Sequence, residues 1–370
     1  LECCIAFNPT GLRGHVVGVK TQTHGERRRQ VRHKQPRPAW RLADGGSGGL
    51  PAPACATAAP LPTVCILLSV YNGAAFLEAL LASLLEQRGV EWVLYWRDDG
   101  SHDGSTAIMH RFQAQVGGVG RCVAVPAPEG GNHLGVMRSY AWLLAHAPQN
   151  MPVAFCDQDD VWFPDKLHRA LVALACQPEG APVLYCSRQV LTDSALRPLG
   201  LSPRLPPSPC FLMALTQNIA TGCTVVLSAQ AVRLVCQCPP PAAILHDWWA
   251  YLVVSGAGGR IVVDNQPTLF YRQHGGNTVG ASARLVVRAA GALRRGPRQF
   301  MDIFYANISA LLLHPALSAQ NRAGLHGLRG VLDDAGPARW RRARTLWRLR
   351  AMRRSALPDQ CVFGLWFLLA

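Results

Sequence analysis

Residues 63–70 form an uninterrupted apolar run, and this run constrains the fold of the chain more than any other feature. Its sequence, TVCILLSV, has the length of one strand and no polar face, which is typical of a strand buried on both sides of a parallel sheet. A Tyr-Asn-Gly turn follows at 71–73, and residues 74–87 then place apolar side chains at helical spacing. The sequence therefore predicts a strand, a turn and a helix, the unit from which α/β folds are built.

The same alternation repeats further along the chain. Apolar runs at 92–96, 122–125 and 153–156 predict three more strands, and residues 105–115 and 134–146 have helical spacing. This pattern predicts an α/β fold with a doubly wound, mainly parallel sheet flanked by helices, in which ligands bind at the carboxyl ends of strands. Further strands are predicted at 182–190 and 224–227, a late hairpin or strand at 260–271, and further helices at 229–236 and 247–254.

The charge of the chain is distributed unevenly and divides it into three parts. The formal net charge is +15 over 370 residues, of which residues 1–60 contribute +6, residues 61–282 contribute −2 and residues 283–370 contribute +11. A nucleic-acid footprint belongs on a folded surface, so the slightly acidic centre argues against a nucleic-acid partner. The composition predicts a disordered extension at 1–61, an α/β domain at 62–282 and a basic helical region at 283–370.

Lysine and cysteine usage narrows the chemistry. Three of the 37 basic residues are lysines and no Gly-Lys-Ser/Thr sequence exists, so a P-loop is excluded. The 13 cysteines are an odd number, and many lie in apolar runs, so we interpret them as reduced thiols. No apolar run approaches the roughly 18 residues of a membrane span, and the first 20 residues lack the pattern of a secretory signal. We therefore expect a cytoplasmic protein.

Two acidic clusters follow predicted strands. Asp157 and Asp159 come directly after the strand at 153–156, and two carboxylates one residue apart at a sheet edge suit a hard cation such as Mg²⁺ or Mn²⁺. The alternative is a solvated acidic turn. Asp98 and Asp99 begin a second cluster, which could accept hydrogen bonds from a nucleobase or a ribose or could be an ordinary Gly/Asp turn.

Five motifs occur in a fixed order within residues 63–282. They are TVCILLSVYNG at 63–73, DDGSHDG at 98–104, DQDDVW at 157–162, HDWW at 246–249 and YRQHGGN at 271–277. Together they resemble the inverting family 2 glycosyltransferases of GT-A fold, and the last two resemble the rhamnosyltransferase-like members that build bacterial surface polysaccharide. The resemblance implies a GT-A domain at 62–282 that transfers a sugar from a nucleotide-diphosphate donor, with dTDP-rhamnose favoured, to a glycan or lipid-linked acceptor.

The resemblance also implies which residues bind the nucleotide. Tyr71, Asp98 and Asp99 would hold the base and the ribose. Asn132 and Gly135 would belong to the loop on the nucleotide side.

The metal and the base are implied in the same way. Asp157 and Asp159 match the metal motif of the family, and Asp247 matches its catalytic base, which takes the proton of the acceptor hydroxyl while a metal stabilises the departing diphosphate. Many relatives have Glu-Asp where this chain has His246-Asp247. The alternative for Asp247 is an N-cap of the helix that follows it.

Two more site residues follow the last predicted strand. Arg272 and His274 would contact the diphosphate or the metal, Arg as a bidentate clamp and His as a third metal ligand, or would form an ordinary turn. Trp162, Trp248 and Trp249 would stack on sugar faces or pack in the core.

The arginine-rich segment at 338–354 predicts a basic amphipathic helix. Such a helix binds anionic lipid heads, here at the inner face of the plasma membrane, or packs on the domain with an arginine-rich solvent face.

Two alternatives to a glycosyltransferase are also compatible with the sequence. DQDDV after an apolar strand fits the nucleophile motif of haloacid-dehalogenase-like phosphatases, but no lysine follows Lys166 to neutralise an aspartyl-phosphate. The second alternative is a glycan-binding or scaffold protein that has the same fold without turnover.

Overall fold

The computed structural model describes residues 61–128, 131, 133–241, 244–274, 285–333, 339–349, 352, 354 and 357–369. The predicted disordered extension, except for its last residue, and the nucleotide-side residue Asn132 lie outside these described residues.

Within them, nine strands form one mixed sheet. The strands are β1 (Thr63–Val70), β2 (Glu91–Asp98), β3 (Cys122–Ala124), β4 (Val153–Cys156), β5 (Val161–Trp162), β6 (Val183–Thr192), β7 (Pro198–Leu201), β8 (Val226–Leu227) and β9 (Arg260–Arg272). Their order is β3-β2-β1-β4-β8-β6-β9-β5, and β7 pairs with β6.

The first four strands pair as the alternating sequence predicts. β1 is parallel to β2 and to β4, and β2 is parallel to β3. Beyond β4 the sheet is mixed, because β8 is antiparallel to β4 and β6 while β6 and β9 are parallel. The late segment predicted as a strand or hairpin is the single strand β9.

Eleven α-helices are described. They are α1 (Ala74–Leu85), α2 (Ser105–Gln115), α3 (Val136–His146), α4 (Lys166–Ala175), α5 (Phe211–Thr216), α6 (Ala229–Val235), α7 (His246–Gly256), α8 (Leu285–Leu313), α9 (Ala319–Asp333), α10 (Arg339–Arg348) and α11 (Leu357–Leu369). Short 3-10 turns lie at Gly118–Gly120 and Gly222–Thr224.

Both faces of β1 are covered, as its apolar run predicts. Val64 and Ile66 pack with α1 and α2 on one face, whereas Cys65 and Leu67 pack with α3 and α7 on the other. The sheet therefore lies between two helical layers, and its strand ends are left to form a site. The predicted α/β fold with a central sheet flanked by helices is confirmed.

The C-terminal part of the described chain is helical, as predicted. Phe304 of α8 and Phe363 and Phe367 of α11 are buried in the same core as α7. None of the described helices has the length and apolarity that a membrane span requires.

Candidate active site

A cavity of about 390 Å³ opens where β1, β2 and β4 end. Tyr71, Asp99, Asp157 and Asp159 line it, and we call them the loop wall because they belong to the loops after these strands. Asp247, at the start of α7, lines it together with the 221–222 loop, and we call these residues the helix wall. Carboxylates that lie far apart in the sequence thus face one cavity.

The loops of the loop wall are fixed to each other by hydrogen bonds. The Tyr71 backbone N–H donates to Oε1 of Gln158 at 2.9 Å, and Nε2 of Gln158 donates to the Tyr71 carbonyl oxygen at 2.9 Å. A Cβ at Gly73 would lie 2.3 Å from Oε1 of Gln158. The glycine in the first turn therefore makes room for the side chain that ties the β1 loop to the β4 loop.

Asp99 is the most completely paired carboxylate of the loop wall. It is 3% exposed, and Oδ1 accepts hydrogen bonds from Nη1 of Arg97 and from the backbone N–H of Leu134, both at 2.6 Å. Oδ2 accepts from the backbone N–H of Gly135 at 2.8 Å. Burial alone would raise the pKa of Asp99, but these donors and the Arg97 charge hold it below its ordinary value.

Gly135 lies in this loop with a positive φ of 74°, a conformation that favours glycine. Because its N–H points at Asp99, the predicted nucleotide-side residues Asp99 and Gly135 are in direct contact.

Asp98 is placed differently from Asp99. Its Oδ2 accepts hydrogen bonds from the backbone N–H groups of Gly100 and Ser101 at 3.1 and 2.9 Å. Its Oδ1 is buried and has no hydrogen-bond partner among the described residues. Asp98 thus closes its own turn, and it is not among the described residues that line the cavity.

An acidic cluster lies after β4. One carboxylate oxygen each of Asp157 and Asp160 and the Cys223 Sγ lie within 4.8 Å of one another. The Tyr140 hydroxyl is 2.9 Å from Oδ1 of Asp157. Burial, and then the charge of Asp159, raises the pKa of Asp157 to about 6. Burial in this cluster therefore disfavours the ionised form of Asp157.

Asp160, a member of this cluster, and Lys166 are fully buried. Nζ of Lys166 is 4.5 Å from the centroid of the Trp162 ring, a cation–π distance. Burial lowers the pKa of Lys166 to about 8, although the nearby Asp160 favours the charged form.

Arg272 and His274 both contact the β4 loop. Nε2 of His274 lies 2.8 Å from Oδ2 of Asp159, and the imidazole stacks on Phe76 at 4.7 Å between ring centroids. Nε of Arg272 donates to the Asp159 carbonyl oxygen at 2.8 Å, and Nη1 donates to the Ser194 carbonyl oxygen. His274 lines the cavity, whereas Arg272 supports the backbone of the loop wall from behind.

Asp247 belongs to the first turn of α7, whose N-cap position is Leu245. Its Oδ2 accepts a hydrogen bond from the Gly222 backbone N–H at 2.8 Å, and its Oδ1 accepts from the Trp248 N–H at 2.6 Å. Asp247 therefore satisfies one first-turn N–H without being the N-cap. Burial is the main cause that raises its pKa to about 7, a value suited to a general base at neutral pH.

Comparisons with known proteins agree with this arrangement. Residues 65–223 match the model of the family described as Glycosyl transferase family 2. The chain contains a family 2 glycosyltransferase domain.

Individual relatives of this glycosyltransferase are also similar. The dTDP-rhamnosyl transferase RfbG of Shigella flexneri is 26% identical over 229 residues, which cover 58% of this chain and 74% of that protein. The putative teichuronic acid biosynthesis glycosyltransferase TuaG of Bacillus subtilis (strain 168) is 30% identical over 110 residues, which cover 30% of this chain and 41% of that protein.

A solved structure shares the fold. The crystal structure of S. aureus TarS 1-349 in complex with UDP-GlcNAc has a TM-score of 0.50 and 16% identity, over 72% of this chain and 70% of that chain. The mixed sheet with its flanking helices is thus a GT-A fold. These similarities favour a glycosyltransferase over the phosphatase alternative.

The family match covers the loop wall but ends before α7. Asp247, Arg272 and His274 lie beyond the matched residues. The geometry alone brings Asp247 and His274 to the glycosyltransferase cavity and Arg272 to the backbone of the loop wall.

The glycosyltransferase site also contains residues that the sequence did not indicate. The His133 ring lies 5.0 Å from the Tyr71 ring, and Tyr140 connects α3 to Asp157. His133 follows a Gly-Gly-Asn sequence, and this proximity to a predicted binding loop was the only available signal. Tyr140 lies in a helix whose apolar spacing predicts a core residue.

The three tryptophans considered for sugar stacking are part of the packing of the glycosyltransferase. Trp162 and Trp249 are 2% and 1% exposed, and Nε1 of Trp248 donates to the Ala214 carbonyl oxygen at 2.7 Å. They are not among the described residues that line the cavity.

Proposed function

We propose that this glycosyltransferase transfers a sugar, with inversion at the anomeric carbon, from a nucleotide-diphosphate sugar to an acceptor hydroxyl. The supporting observation is one cavity with a cluster of acidic side chains on the loop wall and a buried Asp247 on the helix wall. The two groups are near enough that the charge of Asp157 contributes to the raised pKa of Asp247. A leaving-group site and a base that line one cavity suit an in-line displacement.

We propose dTDP-rhamnose as the donor. The similarity to a dTDP-rhamnosyl transferase over 229 residues supports this choice. The nucleotide would lie along the loop wall, where the Tyr71 and His133 rings offer aromatic surface beside the Asp99 loop. Aromatic rings bind nucleobases by stacking, with little dependence on base identity.

The acidic cluster fits a divalent cation. Its carboxylates supply the oxygen ligands that Mg²⁺ and Mn²⁺ prefer, and Oδ2 of Asp160 is buried without a partner among the described residues. We propose Asp157 and Asp159 as the residues that hold the ion. The ligand atoms that the structure brings within 4.8 Å of one another are those of Asp157, Asp160 and Cys223, so Asp157 is the residue common to both sets. When bound, the ion stabilises the charge that develops on the diphosphate leaving group.

Asp247 performs the proton transfer in this proposal. One carboxylate oxygen accepts the proton of the acceptor hydroxyl as that oxygen bonds to the anomeric carbon and the bond to the diphosphate breaks. The Gly222 and Trp248 N–H groups orient the carboxylate, so it is positioned before the acceptor arrives. No covalent sugar–protein intermediate is required.

The acceptor we propose is a glycan or lipid-linked glycan of a bacterial surface polysaccharide. Similarity to a rhamnosyl transferase and to a teichuronic acid biosynthesis glycosyltransferase supports this acceptor class.

Release of nucleotide diphosphate from a panel of nucleotide sugars, with Mn²⁺, tests the proposal. We expect turnover with at least one donor, dTDP-rhamnose first, and loss of at least about a hundredfold in Asp159→Asn. Asp165→Asn is the matched control, because its carboxylate is 56% exposed and not among the described residues of the cavity. Undiminished turnover in Asp159→Asn would remove the metal role, and a wild-type protein that binds glycans without any turnover would favour the scaffold alternative.

We also propose that α10 contacts the inner face of the plasma membrane. Trp340 and Trp347 are 61% and 65% exposed, and Arg341, Arg344 and Arg348 are exposed on the same helix. Each basic residue near an anionic surface contributes about 1 kcal/mol to binding.

Vesicle sedimentation tests the membrane proposal. Replacing Arg341, Arg344 and Arg348 with Ser should abolish binding to vesicles that contain phosphatidylserine. This substitution is preferable to deletion of the tail, because α11 buries Phe363 and Phe367 in the core. Equal binding of the variant and the wild type would refute the contact.

A further inference from the structure

His246 is a buried polar side chain of the cavity to which the proton-transfer scheme gives no role. It is 8% exposed and lines the helix wall directly before Asp247. Both ring nitrogens are buried and have no hydrogen-bond partner among the described residues. A buried donor or acceptor without a partner is costly, so a cavity-lining imidazole that has none among the described residues points to a bound ligand as its partner.

The surroundings of His246 fix the ring and leave it uncharged. The imidazole stacks on Tyr140 with 3.9 Å between ring centroids and an interplanar angle of 21°. It also packs edge-on against Phe155 at 4.7 Å. Burial lowers the pKa of His246 to about 3. The neutral ring has one nitrogen that donates and one that accepts, which matches a sugar hydroxyl.

The contacts of His246 place it between the two chemical groups of the site. On one side its stacking partner, Tyr140, has its hydroxyl 2.9 Å from Oδ1 of Asp157. On the other side a Cβ built on Gly222 would lie 3.0 Å from Nε2 of His246 and 3.6 Å from Oδ2 of Asp247. The group that must lie between a leaving diphosphate and a base is the sugar that is being transferred.

We propose that His246 hydrogen-bonds a hydroxyl of the transferred sugar and thereby selects the donor. This inference rests on the proposed function and names a specificity residue for it. Gly222 serves the same purpose, because a Cβ at 222 would crowd Nε2 of His246 at 3.0 Å and would touch Oδ2 of Asp247 at an ordinary contact distance of 3.6 Å. The polar contact of His246 would favour a sugar with a hydroxyl in its reach over one that lacks it.

Calorimetric titration of the full-length protein with dTDP-rhamnose and with dTDP, both with Mn²⁺, tests this inference. His246→Phe keeps a flat ring for the Tyr140 stack and removes both nitrogens. We expect it to weaken dTDP-rhamnose binding about tenfold to a hundredfold, the loss typical of an unpaired buried hydrogen bond, and to leave dTDP binding unchanged. His246→Asn or His246→Gln should restore part of the loss, and His326→Phe, at an exposed position of α9, is the matched control.

Several results would overturn the inference. One is that His246→Phe weakens the binding of dTDP-rhamnose and of dTDP equally, and another is that it weakens neither. A third is that the wild-type protein binds dTDP-rhamnose no more tightly than dTDP. A measurement of turnover distinguishes failure of this inference from failure of the proposed function. If the wild type turns over and His246→Phe leaves both affinities unchanged, the proposed role of His246 is contradicted and the proposed function is not. If the wild type binds dTDP-rhamnose more tightly than dTDP, His246→Phe removes this difference, and no acceptor gives turnover, the proposed activity is contradicted and the role of His246 is not.

Discussion

Asp99 and Asp247 are both carboxylates buried in the wall of one cavity, but their surroundings shift their pKa values in opposite directions. Asp99 on the loop wall has a guanidinium and two backbone N–H donors at 2.6 to 2.8 Å, and its pKa lies below the ordinary value. Asp247 on the helix wall has two backbone N–H donors, a side-chain hydrogen bond with Asn218 and no cation among its described hydrogen-bond and ion-pair partners, and burial raises its pKa to about 7.

This difference separates a holding role from a reacting role. A carboxylate that is fully paired stays ionised and keeps its loop in place, but it has little tendency to accept a proton. A carboxylate buried without a cation takes up a proton near neutral pH. We therefore expect changes at the loop wall to act mainly on stability and donor binding, and changes at the helix wall to act on turnover.

The largest expected effect comes from Asp247→Asn. The amide can still accept a hydrogen bond from Gly222 but cannot take up the proton of the acceptor, so kcat should fall by about a hundredfold to ten-thousandfold. The KM for the donor should change by less than about threefold. Steady-state kinetics check this split, and an equal loss in donor affinity would instead favour a structural role for Asp247.

Arg97→Ala should have the next largest effect, on stability. Arg97 is 1% exposed, and its removal takes the guanidinium away from the buried Asp99 charge, which costs about 3 to 5 kcal/mol. Urea unfolding at pH 7 measures this loss. Arg111→Ala is the control, because its ion pair with Glu78 is largely exposed and should contribute about 1 kcal/mol or less.

The Arg97→Ala loss should depend on pH. A lowered pKa means that ionised Asp99 contributes stability above its ordinary pKa, and that this contribution disappears as the pH falls through the lowered value. The difference in free energy of unfolding between Arg97→Ala and the wild type should therefore become smaller below about pH 4. A gap of constant size from pH 7 to pH 3 would show that the loss comes from packing.

The sequence allowed much of the loop wall to be predicted. Each strand that ends in this wall is a short apolar run followed by polar residues, and parallel strands place such ends at one edge of the sheet. The pattern could not distinguish Asp98 from Asp99, because adjacent residues at a strand end point in opposite directions. Only the fold shows that Asp99 faces the Arg97 guanidinium and the Gly135 loop while Asp98 caps its own turn.

The helix wall was less predictable because its properties come from distant contacts. Asp247 and His246 acquire their shifted pKa values from burial against the 221–222 loop and α3, which sequence spacing does not reveal. The cation–π contact of Lys166 with Trp162, by contrast, is local, because these residues are four apart in the sequence. The N-cap alternative for Asp247 was wrong by two positions, since α7 begins at His246 with Leu245 as its N-cap.

A smaller effect is expected on the pH profile of turnover. Because Asp247 must be deprotonated to act as a base, and its pKa is raised to about 7, kcat should rise with pH by about tenfold per unit below pH 7 and level off above it. Initial rates between pH 5.5 and 8.5 check this slope. A profile that stays flat down to pH 5 would mean that Asp247 has an ordinary pKa or is not the base.

The smallest expected effect comes from Gly135→Ala on the loop wall. A side chain at a φ of 74° and a ψ of 166° is disfavoured by about 1 to 3 kcal/mol, although open space surrounds the position. We expect a slightly lower thermal midpoint and weaker donor binding, with kcat nearly unchanged. A selective loss of kcat would show that the loop wall also takes part in the reaction step.

The most direct test of the two-wall account is nucleotide binding by two variants. Titration of dTDP, with and without Mn²⁺, is performed on wild type, Asp159→Asn and Asp247→Asn. The account predicts that Mn²⁺ strengthens binding to wild type and to Asp247→Asn alike, and that Asp159→Asn loses this Mn²⁺ dependence. Equal Mn²⁺ dependence in all three proteins, or its loss in Asp247→Asn, would contradict the account.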